Sequence, residues 1–165
     1  MATSESPTQA EYRYDVPESA WSMGWLFLID QVCRLVAYGP GKNNVVIVSV
    51  IVGAAICAWF SYGVLTARTG RVIVVWIALA LASLAELVAL LDTPSIWHAV
   101  QLVFGLAQLW AFLAYRHTSF YAWQQTRPAN AGRGLEPLIW MAVVVGVLGG
   151  IIGTSSDGFN VHVTF

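Results

Sequence analysis

The chain has 165 residues, 58% of them hydrophobic and 10% charged, with a formal net charge of −1. Soluble domains run nearer ~45–50% apolar and ~25% charged, so this composition cannot supply a polar coat and points to an integral membrane protein. The near-neutral balance gives no basic surface for nucleic acid, and Cys33 and Cys57, set in separate apolar segments, form neither a disulfide framework nor a CxxC metal site.

Residues 1–19 are polar and acidic, with Glu5, Glu11, Asp15 and Glu18 against Arg13. That is the reverse of a basic signal-peptide n-region. The stretch reads as a disordered tail, with the first membrane helix itself targeting the chain. Ala20–Tyr38, "AWSMGWLFLIDQVCRLVAY", follows. It carries Asp30 and Arg34, which are four apart and share a helix face. The segment either spans or lies in the interface as an amphipathic helix. Spanning is the favoured expectation, because Arg34 then finds a partner at its own depth.

Four apolar runs come next: Asn44–Thr66, Val72–Leu91, Ile96–Tyr115 and Leu138–Thr154. Crossing ~30 Å of hydrocarbon takes about 20 helical residues. The runs are continuous rather than alternating, so helices are expected and strands are not. The expected fold is an all-α polytopic transmembrane bundle, with four clear spans and a fifth helix that comes first. It occupies residues 20–154 and leaves a short tail at 155–165. "RTGR" punctuates the first two runs, "DTPS" precedes the third and "QQTRPANAGRGLEP" the fourth.

Positive charge orients such a chain. Arg68 and Arg71 sit in one loop and Arg116, Arg127 and Arg133 in another, all on one side if each run spans. The other side holds Lys42, and a loop with Asp92 and no basic residue. The arginine side is therefore expected in the cytoplasm, in a plasma membrane, with the C-terminus outside.

Each run carries a face that lipid alone does not require. Ser49, Gly53, Cys57 and Ser61 recur every four residues, a stripe that lets backbones approach closely. Gly146 with Gly150, and Gly149 with Gly153, make two GxxxG pairs in the last run. On Ile96–Tyr115, His98, Gln101, Gly105, Gln108 and Phe112 follow the spacing of one helical face. Helix packing accounts for most such patterns.

Glu86 is the sharper feature, an acid inside "LALASLAELVALL". It lies about 22 Å beyond Arg71 at 1.5 Å per residue, in the outer third of its span. Gln101, on the returning helix, reaches nearly the same depth, and Arg34 does so if the first segment spans. Arg34, Glu86, His98, Gln101 and Gln108 are thus the candidate intramembrane polar layer. A charge in hydrocarbon costs ~2.5–3.5 kcal/mol unless it pairs or meets water, so an Arg34–Glu86 ion pair is expected. It is either structural or a proton or cation site.

The sequence offers little for other chemistry. His98 and His117 are about 28 Å apart on one helix, too far to share a haem. There is no GxSxG, HExxH, P-loop or intrahelical lysine, so no cofactor, metal or catalysis is expected. "YRHTSFYAWQQTR" reads as an interfacial helix on anionic headgroups, or simply as an extended helix end. In the tail, Phe159, Val161, Val163 and Phe165 alternate with polar residues, as in a strand that needs a partner edge.

"RTGR" between two Ala/Val/Leu-rich spans, and a following span ending in "AYRHTSFYAWQ", resemble small uncharacterised multi-pass membrane proteins of actinobacteria and their phages. The resemblance covers roughly Val45–Gln125; it implies a topology and no reaction. The extra glycine-rich last span departs from it. The expected function is association in the lipid bilayer, with other membrane subunits or as a homo-oligomer. The expected role is a non-enzymatic accessory or scaffold subunit, or a phage-type protein that modifies the envelope. A small channel or transporter using the layer around Glu86 is the alternative.

Overall fold

The computed structural model describes residues 16–40, 46–126 and 134–153. Of these, 87% are helical and none lies in a strand. In chain order the helices are α1 (Glu18–Tyr38), α2 (Val46–Leu65), α3 (Thr69–Asp92), α4 (Ile96–Arg116), α5 (Ser119–Gln125) and α6 (Glu136–Ile152). The expected tail disorder up to Asp15, the charges Lys42, Arg127 and Arg133, and the strand-like 159–165 segment lie outside the described residues. α1 itself starts at Glu18, inside the stretch read as tail.

Among the described residues, three helical segments are long and apolar enough to cross a membrane: Ile47–Leu65, Thr69–Asp92 and Ile96–Arg116. That is fewer than the four-plus spans expected from sequence. α6 stops after 17 residues, about 25 Å at 1.5 Å per residue and short of the ~30 Å core. α1 is long enough, but Glu18, Asp30 and Arg34 lower its hydropathy.

The five long helices close into a ring. α1 packs on α6, α6 on α2, α2 on α3, α3 on α4 and α4 back on α1. α2–α6 is the most extensive of these interfaces and α2–α3 the sparsest. Glycine explains the first. A Cβ at Gly150 would lie 2.6 Å from Ser49 O and Val50 Cα, and one at Gly146 would run into the Gly53 carbonyl and Ala54 Cα. Only hydrogen fits there, and the two backbones touch.

A tight turn joins α2 to α3. Arg68 N–H reaches back to Gly63 O at 2.8 Å and Ala67 N–H to Val64 O at 3.0 Å, with Ala67 at φ 54°. This is the left-handed cap that usually takes glycine. Below the turn α2 and α3 diverge, which leaves their interface sparse.

The end of the bundle nearest this turn is sealed by aromatics. Phe112 and Tyr115 are fully buried among Leu65, Leu135 and Phe120. Tyr115 donates its hydroxyl to Leu65 O at 2.9 Å, satisfying a carbonyl in the last turn of α2. Of the two readings of Tyr115–Arg127, a separate helix and an extended end of α4, the extended end does not form. Thr118 accepts from Tyr121 N–H and caps a new helix, so α5 folds back and sets Tyr121 edge-on to Tyr115, 5.5 Å between ring centres. Outside, Ile47, Leu91, Ile96, Trp110 and Trp140 stand exposed. A water-soluble surface rarely shows so continuous an apolar coat.

Candidate functional site: a polar network inside the bundle

The network starts on α1. Asp30 and Arg34 are one turn apart, and Arg34 Nε donates to both Asp30 oxygens at 3.2 and 3.3 Å. Its Nη2 donates to Glu86 Oε1 on α3 at 3.3 Å. The other Glu86 oxygen, Oε2, lies 3.3 Å from His98 Nδ1 on α4. One guanidinium thus bridges two carboxylates, and three helices are tied by four side chains. Asp30 is 5% exposed, whereas the Arg34 and Glu86 side chains keep 29% and 18%. The network therefore runs from the bundle interior towards its edge.

Two amides extend it along α4. Gln101 and Gln108 are buried. The Gln108 amide is turned towards the Asp30 carboxylate, yet its Nε2 meets no acceptor at hydrogen-bonding distance among the described residues. Ser83 on α3 is buried too and donates to Leu79 O at 2.9 Å within its own helix. A Cβ at Gly105 would lie 2.7 Å from Ser83 Oγ, so Gly105 lets α4 close onto α3 beside the network. One turn beyond Gln108 the strip ends at Ala111, Phe112 and Tyr115, all buried and apolar in their packing.

Of the residues expected to form a layer, Arg34, Glu86 and His98 are joined across facing helices, whereas Gln101 and Gln108 lie buried further along α4, Gln108 about 15 Å beyond His98 at 1.5 Å per residue. Asp30 pairs with Arg34, as their shared helix face allows, and Ser83, which was not expected in the layer, is buried against Gly105 and bonds within its own helix. Their signals were present: Asp30 is four residues before Arg34, and Ser83 three before Glu86, each on the shared face.

The small-residue stripes divide. Ser49 and Gly53 meet Gly150 and Gly146 in the α2–α6 seam. Gly149 instead faces Gln31 on α1, at 3.4 Å for an added Cβ, and among the described residues an added Cβ at Gly153 would meet only Gly149 O of its own helix. Cys57 and Ser61 leave the seam and line a cavity of about 390 Å³. That cavity sits in the wedge between α2 and α3, is backed by α1 and α6, and is almost wholly apolar. Of the eight residues read as packing positions, Ser49, Gly53, Gly146 and Gly150 form the α2–α6 seam and Gly149 packs against α1, while Cys57 and Ser61 line the cavity.

Among the described residues, no three His, Cys, Asp or Glu side chains gather closely enough to hold a metal ion. The chain matches no family model, no curated protein and no solved structure.

Proposed function

We propose that this is a non-enzymatic multi-pass membrane protein that acts by association, as an accessory or scaffold subunit or as a phage-type protein that modifies the envelope. One observation carries the reading. The intramembrane charges bond to one another across α1, α3 and α4, and the strip they form ends on the aromatic seal at Phe112 and Tyr115. Such a network holds helices together; it does not continue to the far end of the bundle. Polar groups used in this way act as glue between membrane helices.

All five long helices cross the bilayer in this reading. α1 belongs with the other spans because it packs on α4 and α6 and places its charges against Glu86, which an interfacial helix lying flat would not do. Arg68, Arg71 and Arg116 gather at one end of the ring, and the positive-inside rule puts that end in the cytoplasm. The lipid-facing apolar coat leaves the outer surface free for other membrane subunits or further copies.

Extraction in mild detergent followed by native mass spectrometry tests the association. A stable species well above the 18.0 kDa chain is the expected result; a bare monomer in every detergent that keeps the fold would count against it. A second reading, a small channel or transporter, is favoured by one feature. The Gln108 amide, buried beside Asp30 with Nε2 lacking an acceptor among the described residues, is suited to donate to a transient water, as a hydrated path would supply. Flux in liposomes separates the two.

A further inference from the structure

The wedge between α2 and α3 holds a cavity that the polar network does not use. Its cavity of about 390 Å³ falls within the ~300–1,000 Å³ of ordinary ligand sites. Phe27, Cys57, Phe60, Val75, Ala82 and Met141 give it apolar walls from four helices. Ile56 and Val74, also in its lining, are half-exposed on the outside of the bundle, so the wedge opens sideways, where lipid would lie.

A fixed cation stands at the turn end of this opening. Arg71 occupies the same face of α3 as Val74, Val75 and Ala78, which line the wedge one and two turns further on. Its stem crosses onto Gly63 of α2, where an added Cβ would collide with it. Its Nη1 donates to Trp59 O at 3.1 Å, and its guanidinium carbon sits 4.0 Å from the centre of the Trp59 ring. Those contacts hold the group in place and, among the described residues, engage one of its five N–H donors in a hydrogen bond. Arg68, three residues earlier in the turn, adds a second positive charge at the same end.

We propose that this wedge is a binding site for one anionic phospholipid of the surrounding bilayer, with an acyl chain between α2 and α3 and the phosphate-bearing headgroup on Arg71. The apolar slot matches the chain and the fixed guanidinium matches the headgroup charge. A neutral partner helix would use the slot and leave the arginine unanswered. The proposal rests on the bundle lying in a membrane and on nothing else in the functional reading. A failure to select lipid would leave the topology and the association result untouched, since both are measured without added lipid.

The test uses the full chain in detergent with phosphatidylglycerol or phosphatidylcholine of identical chains added, read by native mass spectrometry. The wild type should retain one phosphatidylglycerol at least fivefold more than phosphatidylcholine. Arg71→Gln keeps a donor for Trp59 O and removes the charge, so it should erase that preference. Ala78→Phe fills the wedge and should abolish retention of both lipids. Should Ala78→Phe fail to fold, alkylating Cys57 in a folded Cys33→Ala chain fills the same space and should have the same effect. Equal retention of the two lipids by the wild type overturns the proposal. So does a preference that survives Arg71→Gln, or a dimer that Ala78→Phe dissociates, which would make a second copy the occupant.

Discussion

Arg34 is the hub of the charged network, and removing it should cost more than removing Glu86. Arg34→Gln leaves two carboxylates, Asp30 and Glu86, without their shared guanidinium. Glu86→Gln leaves Arg34 still bonded to Asp30 at 3.2 Å and removes only its outer contact and the acceptor for His98. Breaking a fully buried pair costs ~3–5 kcal/mol, and exposed pairs are worth ~0–1 kcal/mol. With Asp30 at 5% exposure but Arg34 and Glu86 side chains at 29% and 18%, the network sits between these limits. Arg34→Gln should therefore destabilise by about 2–3 kcal/mol and Glu86→Gln by about 1 kcal/mol. The double variant should cost less than the sum of the two by roughly 1 kcal/mol, because neither change then strands the other partner. Reversible unfolding in mixed detergent micelles measures all four species. Glu86→Gln costing as much as Arg34→Gln, or strict additivity, would refute the assignment of Arg34 as the shared bridge.

Four further outcomes follow from the packing and the topology. Gly150→Leu should sharply lower the yield of folded protein while Val144→Leu does not, because a Cβ at Gly150 already lies 2.6 Å from Ser49 O and Val50 Cα, whereas Val144 is exposed; equal tolerance in a detergent-resistant folding assay would place the glycine seam elsewhere. Tyr115→Phe should cost about 1–2 kcal/mol by leaving the Leu65 carbonyl unsatisfied in a buried site, and Ala67→Gly should raise thermal stability by about 0.5–1 kcal/mol because Ala67 holds a positive φ. Cysteines introduced at Arg68 and Arg116 should be shielded from an impermeant maleimide in intact cells, and a cysteine at Thr93 labelled; the opposite pattern would invert the orientation.

Much of the polar layer was legible because depth along a helix is arithmetic. The distances of Glu86 from Arg71 and of Gln101 from Ile96 bring the two to one level, and the charge of Arg34 requires a partner. The glycine seam was legible in part. Ser49, Gly53, Cys57 and Ser61 look alike as a spacing, but a spacing does not say where two helices diverge, and the left-handed turn at Ala67 sends α2 and α3 apart beside Cys57 and Ser61. The composition of Tyr115–Arg127 left a separate interfacial helix and an extended end of the preceding span equally open. The deciding signal was Thr118, whose side chain caps α5 and competes locally with helix continuation. Arg71 reads from sequence only as a topology marker, since its placement on Trp59 depends on a tertiary contact twelve residues away.

The claim that the internal charges close the bundle, and do not line a route through it, is tested most directly by ion flux. Purified protein in liposomes carrying a proton or potassium gradient should dissipate it no faster than protein-free liposomes, and Glu86→Gln should leave that rate unchanged. A wild-type flux well above the protein-free rate, abolished by Glu86→Gln in protein that remains folded, would contradict the account and make Glu86 part of a conducting path.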